Sequence, residues 1–271
     1  MSYVSKTLIT TEPEPAVNDK RLSICLLANG FSFSVTTGDG QLLTFGEAEG
    51  GHAKVMTAAI ADVKAFFAEV GIRPLGYKSM ELIVMSDNCT WVPNELYSST
   101  ANRQYLRLVG CDAVSVMSTP CDALASTAVY EANDQLAMGF KVALPGLVVM
   151  NQHVKMVQLA PRSVDHPVLF THWRQGRVDV AAFRDGRYIY GNTLRFDSGD
   201  EIRFRIVEVM KTFGIESPNT ELMMCGDVDR ELFARLRPYF PATTLYTGNA
   251  ARYTNPAFKG LHTYRHALIL M

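Results

Sequence analysis

Along the chain, apolar residues recur first in a two-residue rhythm and then in a helical one, and this succession occurs twice. In its first occurrence residues 22–28 form a β-rich run ending at Asn29-Gly30, residues 31–35 alternate, Asp39-Gly40 turns the chain, and residues 41–45 make a third strand. Asn-Gly and Asp-Gly supply the positive φ angles of tight hairpins, so the pattern predicts an antiparallel meander. In its second occurrence residues 168–173 run into Gln175-Gly176, residues 177–183 alternate, Asp185-Gly186 turns, and residues 187–196 complete the meander. Gly176 and Gly186 each lie 146 residues beyond Gly30 and Gly40.

Each meander is followed by one amphipathic helix. Val55, Met56, Ala59, Ile60, Val63, Phe66, Phe67 and Val70 share a stripe closed by Gly71-Ile72, and a glycine in that place is the usual helix stop. Ile202, Ile206, Val209, Met210 and Phe213 share another, closed by Gly214-Ile215, with Ser198 and Glu201 as a capping box at its start. A fourth strand follows in each half, over 81–85 and 221–225, 140 residues apart. Pro93 then opens a short helix over 94–97, and Tyr105, Leu106 and Val109 suggest another. In the second half Asp229 caps a helix bearing Leu232, Phe233 and Leu236, which Pro238 stops. The first half is expected to add a strand at 127–131, a helix at 134–144, a strand at 147–150 and a final helix, and the second half to end in a strand over 267–270. Each half reads β-β-β-α-β-α-β, which predicts an α/β fold of two tandem lobes with mixed sheets.

Two tandem copies of this order resemble the actin, sugar-kinase and heat-shock-chaperone superfamily, in which a ribonuclease-H-like unit is duplicated. More narrowly, the run from Leu22 through Asn29-Gly30 to Val35, with Trp91-Val92-Pro93, Leu96-Tyr97 and Tyr105-Leu106, resembles a bacterial family of unknown function that has a member with an actin-like ATPase fold. The resemblance implies an actin-like ATPase architecture and brings no reaction with it. The duplication sets ribonuclease-H-like lobes at 21–160 and 161–271, behind an extended arm over 1–20 in which Pro13 and Pro15 fix φ and remove donors.

In that superfamily ATP and its metal sit between the lobes, gripped by the first hairpin of each. The resemblance therefore implies a candidate inter-lobe cleft at Asn29, Gly30, Gln175, Gly176, Gly226 and Asp227. The residues depart from the pattern at each motif. Where the superfamily has an Asp that holds hydrated magnesium, this chain has Leu27-Ala28-Asn29-Gly30. Thr171-His172-Trp173-Arg174-Gln175-Gly176 puts bulky side chains where phosphate needs bare backbone, and Gly226-Asp227 stands alone where paired glycines begin the purine-side motif. A two-metal nuclease fails the same test, because neither first strand carries an acid; Asp87 and Asp227 read as loop or capping carboxylates.

The expectation is a scaffold or partner-binding module that has lost its ATPase site, with a protein partner, no cofactor, no metal and no assigned catalytic residue. The alternative is a divergent phosphoryl-transfer enzyme or ATPase with ATP and magnesium in the cleft. A further alternative is a weak RNA- or anion-binding protein.

Composition narrows the class further. With 271 residues, 48% hydrophobic and 20% charged, the chain has apolar material for real cores and is neither disordered nor fibrous. The five cysteines show no CxxC pair, so they read as reduced thiols. His262 and His266 lead into the expected last strand, and His153, His166 and His172 read as sheet or surface histidines. No GxSxG elbow occurs. The first residues carry no signal-like apolar stretch, and the longest apolar run, 142–150, is too short to span a bilayer and is broken by Pro145-Gly146. A cytoplasmic protein without a membrane span is expected.

Charge adds one asymmetry. Residues 1–160 carry 11 Lys+Arg against 15 Asp+Glu, and residues 161–271 carry 15 against 12, so the net −1 is a cancellation. Arg174, Arg177, Arg187 and Arg195 form a candidate anion or partner surface, but Asp179, Asp185 and Asp197 are interleaved with them. They read as a solvated or inter-domain salt-bridged face. Nucleic acid is not expected as a partner, and the pattern carries no expectation for oligomeric state.

Overall fold

The computed structural model describes residues 5–11, 19–27, 30–49, 60–161, 165–216, 218–248, 253 and 255–270. In the first half the chain runs through β1 (Ser5–Thr10), β2 (Lys20–Leu27), β3 (Gly30–Thr36), β4 (Leu42–Glu49), helix α1 (Ile60–Val70) and β5 (Tyr77–Val84). It continues through β6 (Cys89–Pro93), α2 (Asn102–Leu108), β7 (Val116–Cys121) and β8 (Ser126–Glu131), then α3 (Asp134–Ala143), β9 (Leu147–Asn151) and α4 (Gln152–Leu159). The second half consists of β10 (Val168–Arg174), β11 (Arg177–Arg184), β12 (Arg187–Arg195), α5 (Gly199–Thr212), β13 (Glu221–Gly226), α6 (Arg230–Leu236) and β14 (Thr243–Leu245).

The two large sheets repeat one frame. The first has the order β1-β4-β3-β2-β5-β9 and the second β12-β11-β10-β13-β14. In each, three antiparallel strands lead into two parallel ones. The turns that the sequence marks set these registers: Leu27 pairs with Gly30 and Arg174 with Arg177, across Gly176 at φ 64°. Caps hold the helices at the marked places, with the Ser198 hydroxyl accepting from Glu201 N at 3.2 Å and the Asp229 carboxylate from Leu232 N at 2.6 Å.

Strand alternation sorts the first sheet into two faces. Phe31 packs on Phe66 of α1, with ring centroids 4.0 Å apart, and Phe66 and Phe67 both meet Phe140 of α3; each such pair contributes about 0.5–1.5 kcal/mol beyond its area. The other face is small and polar, with Ser23, Ser32 and Ser34 all buried. That face receives the end of the chain: Ser34 Oγ donates to the Ile269 carbonyl, and His266 lies on Phe45 at 4.5 Å.

Several expectations are corrected. Residues 267–270 form no strand; they follow the 3-10 turn Thr263–His266 and are buried in the cluster built around the first sheet. A continuous apolar run reads alike as core strand and as buried coil, and the fifth strand of the second sheet is β14 instead. Residues 5–10 of the extended opening segment pair along β4 as an outer strand of the first sheet; Glu12 to Pro15 lie outside the described residues, as do Val55, Met56 and Ala59. The strand near 127–131 belongs to a separate small sheet, β6-β8-β7, and residues 94–96 form a 3-10 turn. Pro93 and Pro120 mask β6 and β7 in the sequence, and both strands are edges, where proline is tolerated. No helix among the described residues is long and apolar enough to cross a membrane.

Candidate functional site

The two halves meet over a buried polar cluster. From the first half come the loop after β5, with Ser86 and Asp87, and the start of α4, with Gln152 and His153; from the second come β10, β11 and β12. At its centre Asp179 of β11 is fully buried. Its Oδ2 accepts from His172 Nδ1 at 3.0 Å and Arg174 Nε at 2.9 Å, and its Oδ1 from Arg174 Nη2 at 2.8 Å, Gln152 Nε2 at 3.0 Å and Thr193 Oγ1 at 2.7 Å. A carboxylate offers about four lone-pair sites, so Asp179 is saturated by the chain's own donors. Burial alone would raise its pKa, but the His172 bond and the Arg174 guanidinium outweigh it and hold the carboxyl well below the usual range.

The cluster reaches outward in two directions. Arg174 Nη2 also bonds Asp87 Oδ1 at 3.2 Å, and Asp87 Oδ2 takes Arg177 Nε at 2.6 Å and Arg195 Nη2 at 3.4 Å. Gln152 captures the Ser86 backbone from both sides, accepting from N at 3.0 Å and donating to O at 2.6 Å. His153 Nε2 lies 3.1 Å from Thr193 Oγ1, whose proton goes to Asp179. Nε2–H is therefore the donor, and the buried Nδ1 has no partner. Burial first, and Arg174 after it, lower the His153 pKa, so the ring is neutral at pH 7.

The sequence candidates are distributed over this frame. Asn29 lies outside the described residues. Gly30 opens β3 between Leu27 and Glu49, and Gln175 is exposed on the β10–β11 turn beside Gly176. Gly226, at φ 84°, owes its identity to the chain itself, because a Cβ there would stand 2.3 Å from the Trp173 carbonyl oxygen. Asp227 is exposed, and its N–H donates to that carbonyl at 2.8 Å. The structure brings Arg174, Arg177 and Arg195 together on Asp87. It leaves Arg187 apart, beside a concavity of about 350 Å³ that Leu124, Val157, Phe183 and Tyr188 also line. A larger concavity, about 640 Å³, opens between Asp87, Asp112, Glu131, Gln135 and Arg195. Among the described residues no group of three or more His, Cys, Asp and Glu side chains is arranged to hold a metal ion.

Residues 14–243 match the model of a family described as "Protein of unknown function (DUF3822)". The chain belongs to the DUF3822 family. Among solved structures, this DUF3822 chain is similar to a Bacteroides thetaiotaomicron protein with actin-like ATPase fold and unknown function, with a TM-score of 0.70 and 15% identity over 87% of this chain and 94% of that one. It is also similar to a chain of the PilM–PilN type IV pilus biogenesis complex (TM-score 0.58, 13% identity, 94% and 97% covered). The ethanolamine utilization protein EutJ from Carboxydothermus hydrogenoformans matches with a TM-score of 0.51 at 10% identity, with 97% and 92% covered. No curated protein matches the chain. At these identities the likeness establishes the actin-like ATPase fold.

Sequence reasoning missed the centre of the cluster. Asp87 is a loop carboxylate that holds three arginines of the other half, and of the histidines read as sheet or surface residues His172 is on a strand, β10, and His153 at the start of α4, both buried in one network. One signal for the His172–Asp179 pair was present: with the turn at Gln175-Gly176, Arg174 faces Arg177, and two residues further out on each strand His172 faces Asp179. Nothing comparable marks Gln152, Ser86 or Thr193, which arrive from three distant elements.

Proposed function

We propose that this chain is a partner-binding module on an actin-like frame whose ATPase site has been lost, its lobes dividing near residue 161. A cytoplasmic setting and the absence of a cofactor are parts of the same proposal. The observation that carries it is the state of the inter-lobe cluster. Asp179 has no lone pair left for a metal, and Arg174, the cation best placed for a phosphate, is clasped between Asp179 and Asp87. Recruiting Arg174 to a nucleotide takes the guanidinium from a fully buried carboxylate, a loss on the order of 3–5 kcal/mol for a broken buried ion pair. That is as large as the roughly 4 kcal/mol of a millimolar affinity.

The protein-partner half of the proposal draws support from the frame's use elsewhere: one structure of this fold is a chain of a pilus biogenesis complex. Calorimetric titration with ATP and magnesium tests the loss of the site. The expected result is no saturable heat, and magnesium-dependent binding at millimolar strength or tighter overturns the proposal.

A further inference from the structure

Among the described residues the duplication leaves one position filled in the first sheet and bare in the second. β4 carries β1 antiparallel along its outer edge, from Ser5 opposite Glu49 to Thr10 opposite Thr44. Its counterpart β12 is the end of its sheet among the described residues. β12 is nine residues long, and an unpaired edge of that length is a template for another strand.

Charge decides which strand. In the filled position the sequence of β1 has one lysine and no acid, and that of β4 has two glutamates and no base. β12 has the opposite sign, with Arg187 and Arg195 at its ends and no acid between them. Arg187 is exposed, and the Arg195 side chain is 64% exposed even while it reaches Asp87. A second copy of this chain is a poor occupant. Antiparallel self-pairing centred on Gly191 sets Arg187 against Arg195 at both ends, and like charges directly opposite are destabilising. The incoming strand displaces the local bond from Thr193 N–H to Asn192 Oδ1 at 2.8 Å.

We infer that β12 takes up an extended, acid-flanked segment of a different protein, added antiparallel as one further strand of the second sheet. The inference deepens the partner-binding reading, on which it rests, by naming the surface and the chemistry of the segment.

The probe is a short fluorescein-labelled Thr/Val peptide with Asp and Glu at its ends, compared with the same peptide ended by Lys. Fluorescence anisotropy is expected to show the acid-ended peptide binding about tenfold tighter, and Arg187→Glu is expected to weaken it about fivefold. Amide hydrogen exchange in residues 187–195 slows in the complex. Equal affinity for the two peptides, no binding, binding without protection of β12, or self-association that protects β12 overturns the assignment. A host protein retained equally by wild type and Arg187→Glu also overturns it while leaving the partner-binding reading intact; magnesium-dependent ATP binding removes that reading itself.

Discussion

Glu81 and Asp87 of the first half correspond to Glu221 and Asp227 of the second, 140 residues on in the same frame. Glu81 takes Ser23 Oγ at 2.7 Å and the buried Lys155 ammonium of α4 at 2.5 Å, and Asp87 takes three arginines of the other half. Glu221 likewise bonds within its own half, to His166 and Thr244, but Asp227 stays exposed. The frame is duplicated and its acids are not used alike. Of the two acids of the first half, Asp87 reaches across the seam to the arginines, while Glu81 ties β2 and β5 to α4 within its own half.

The sharpest way to break this comparison is at Asp179. Asp179→Ala leaves Arg174 buried with half its partners, and the expected loss is about 3–5 kcal/mol, or on the order of 10 °C in Tm. Denaturant unfolding measures it, and a loss under about 1 kcal/mol would remove the seam as a structural determinant. Next comes the pair Gly226 and Ser86, which stand at corresponding positions. Gly226→Ala forces a side chain onto the Trp173 backbone at positive φ, at a cost of about 2–3 kcal/mol. Ser86→Ala removes the two hydroxyl bonds to the Asn88 backbone, donated to O at 2.9 Å and accepted from N at 3.2 Å, worth about 1–2 kcal/mol together. Equal losses in chemical denaturation would show that the two turns are under the same constraint.

The chain end gives the fold a pH dependence through His266, in the same direction as that of His153 in the first half. Burial, with Arg265 and His262 adding to it, pushes the His266 pKa from 6.5 to about 4. Between those values the unfolded chain holds a proton that the folded one does not, so stability rises with pH across the window and levels off above it. His153, also lowered, acts in the same direction, whereas Asp179, depressed below the usual range, adds its slope only below about pH 4. His266→Phe keeps a ring against Phe45 and is expected to shrink the stability difference between pH 7 and pH 5 by roughly 2 kcal/mol. An unchanged difference in urea titrations at the two pH values would place the dependence elsewhere.

The frame was legible because its information is local. Gly30, Gly40, Gly176 and Gly186 mark hairpins, and alternation between Phe31 and Val35 marks a face. What could not be read is where neighbouring elements meet. The run Ala267-Leu268-Ile269-Leu270 fits a core strand by composition, yet it is buried with its Ile269 carbonyl on Ser34 of the opposite half. Thr193 looks like any strand threonine until Asp179 and His153 converge on it. The arginines were read as solvated or salt-bridged between domains, and for Arg174, Arg177 and Arg195 the bridge runs to Asp87. That partner lies some 90 positions away, beyond the reach of any spacing rule.

The smallest expected effect is also the most discriminating. Asp87 and Asp227 follow corresponding strands, but only Asp87 touches the other half. Its arginine partners range from 18% to 64% exposed, so water screens much of their attraction and Asp87→Ala is expected to cost only about 1–2 kcal/mol. Asp227→Ala is expected to stay within about 0.5 kcal/mol. High salt separates the mechanisms: the Asp87→Ala loss shrinks at 1 M salt, where the Debye length is about 3 Å, while a loss from loop packing does not. Equal costs for the two substitutions at low salt would mean that the seam charge is spread over the cluster rather than focused on Asp87.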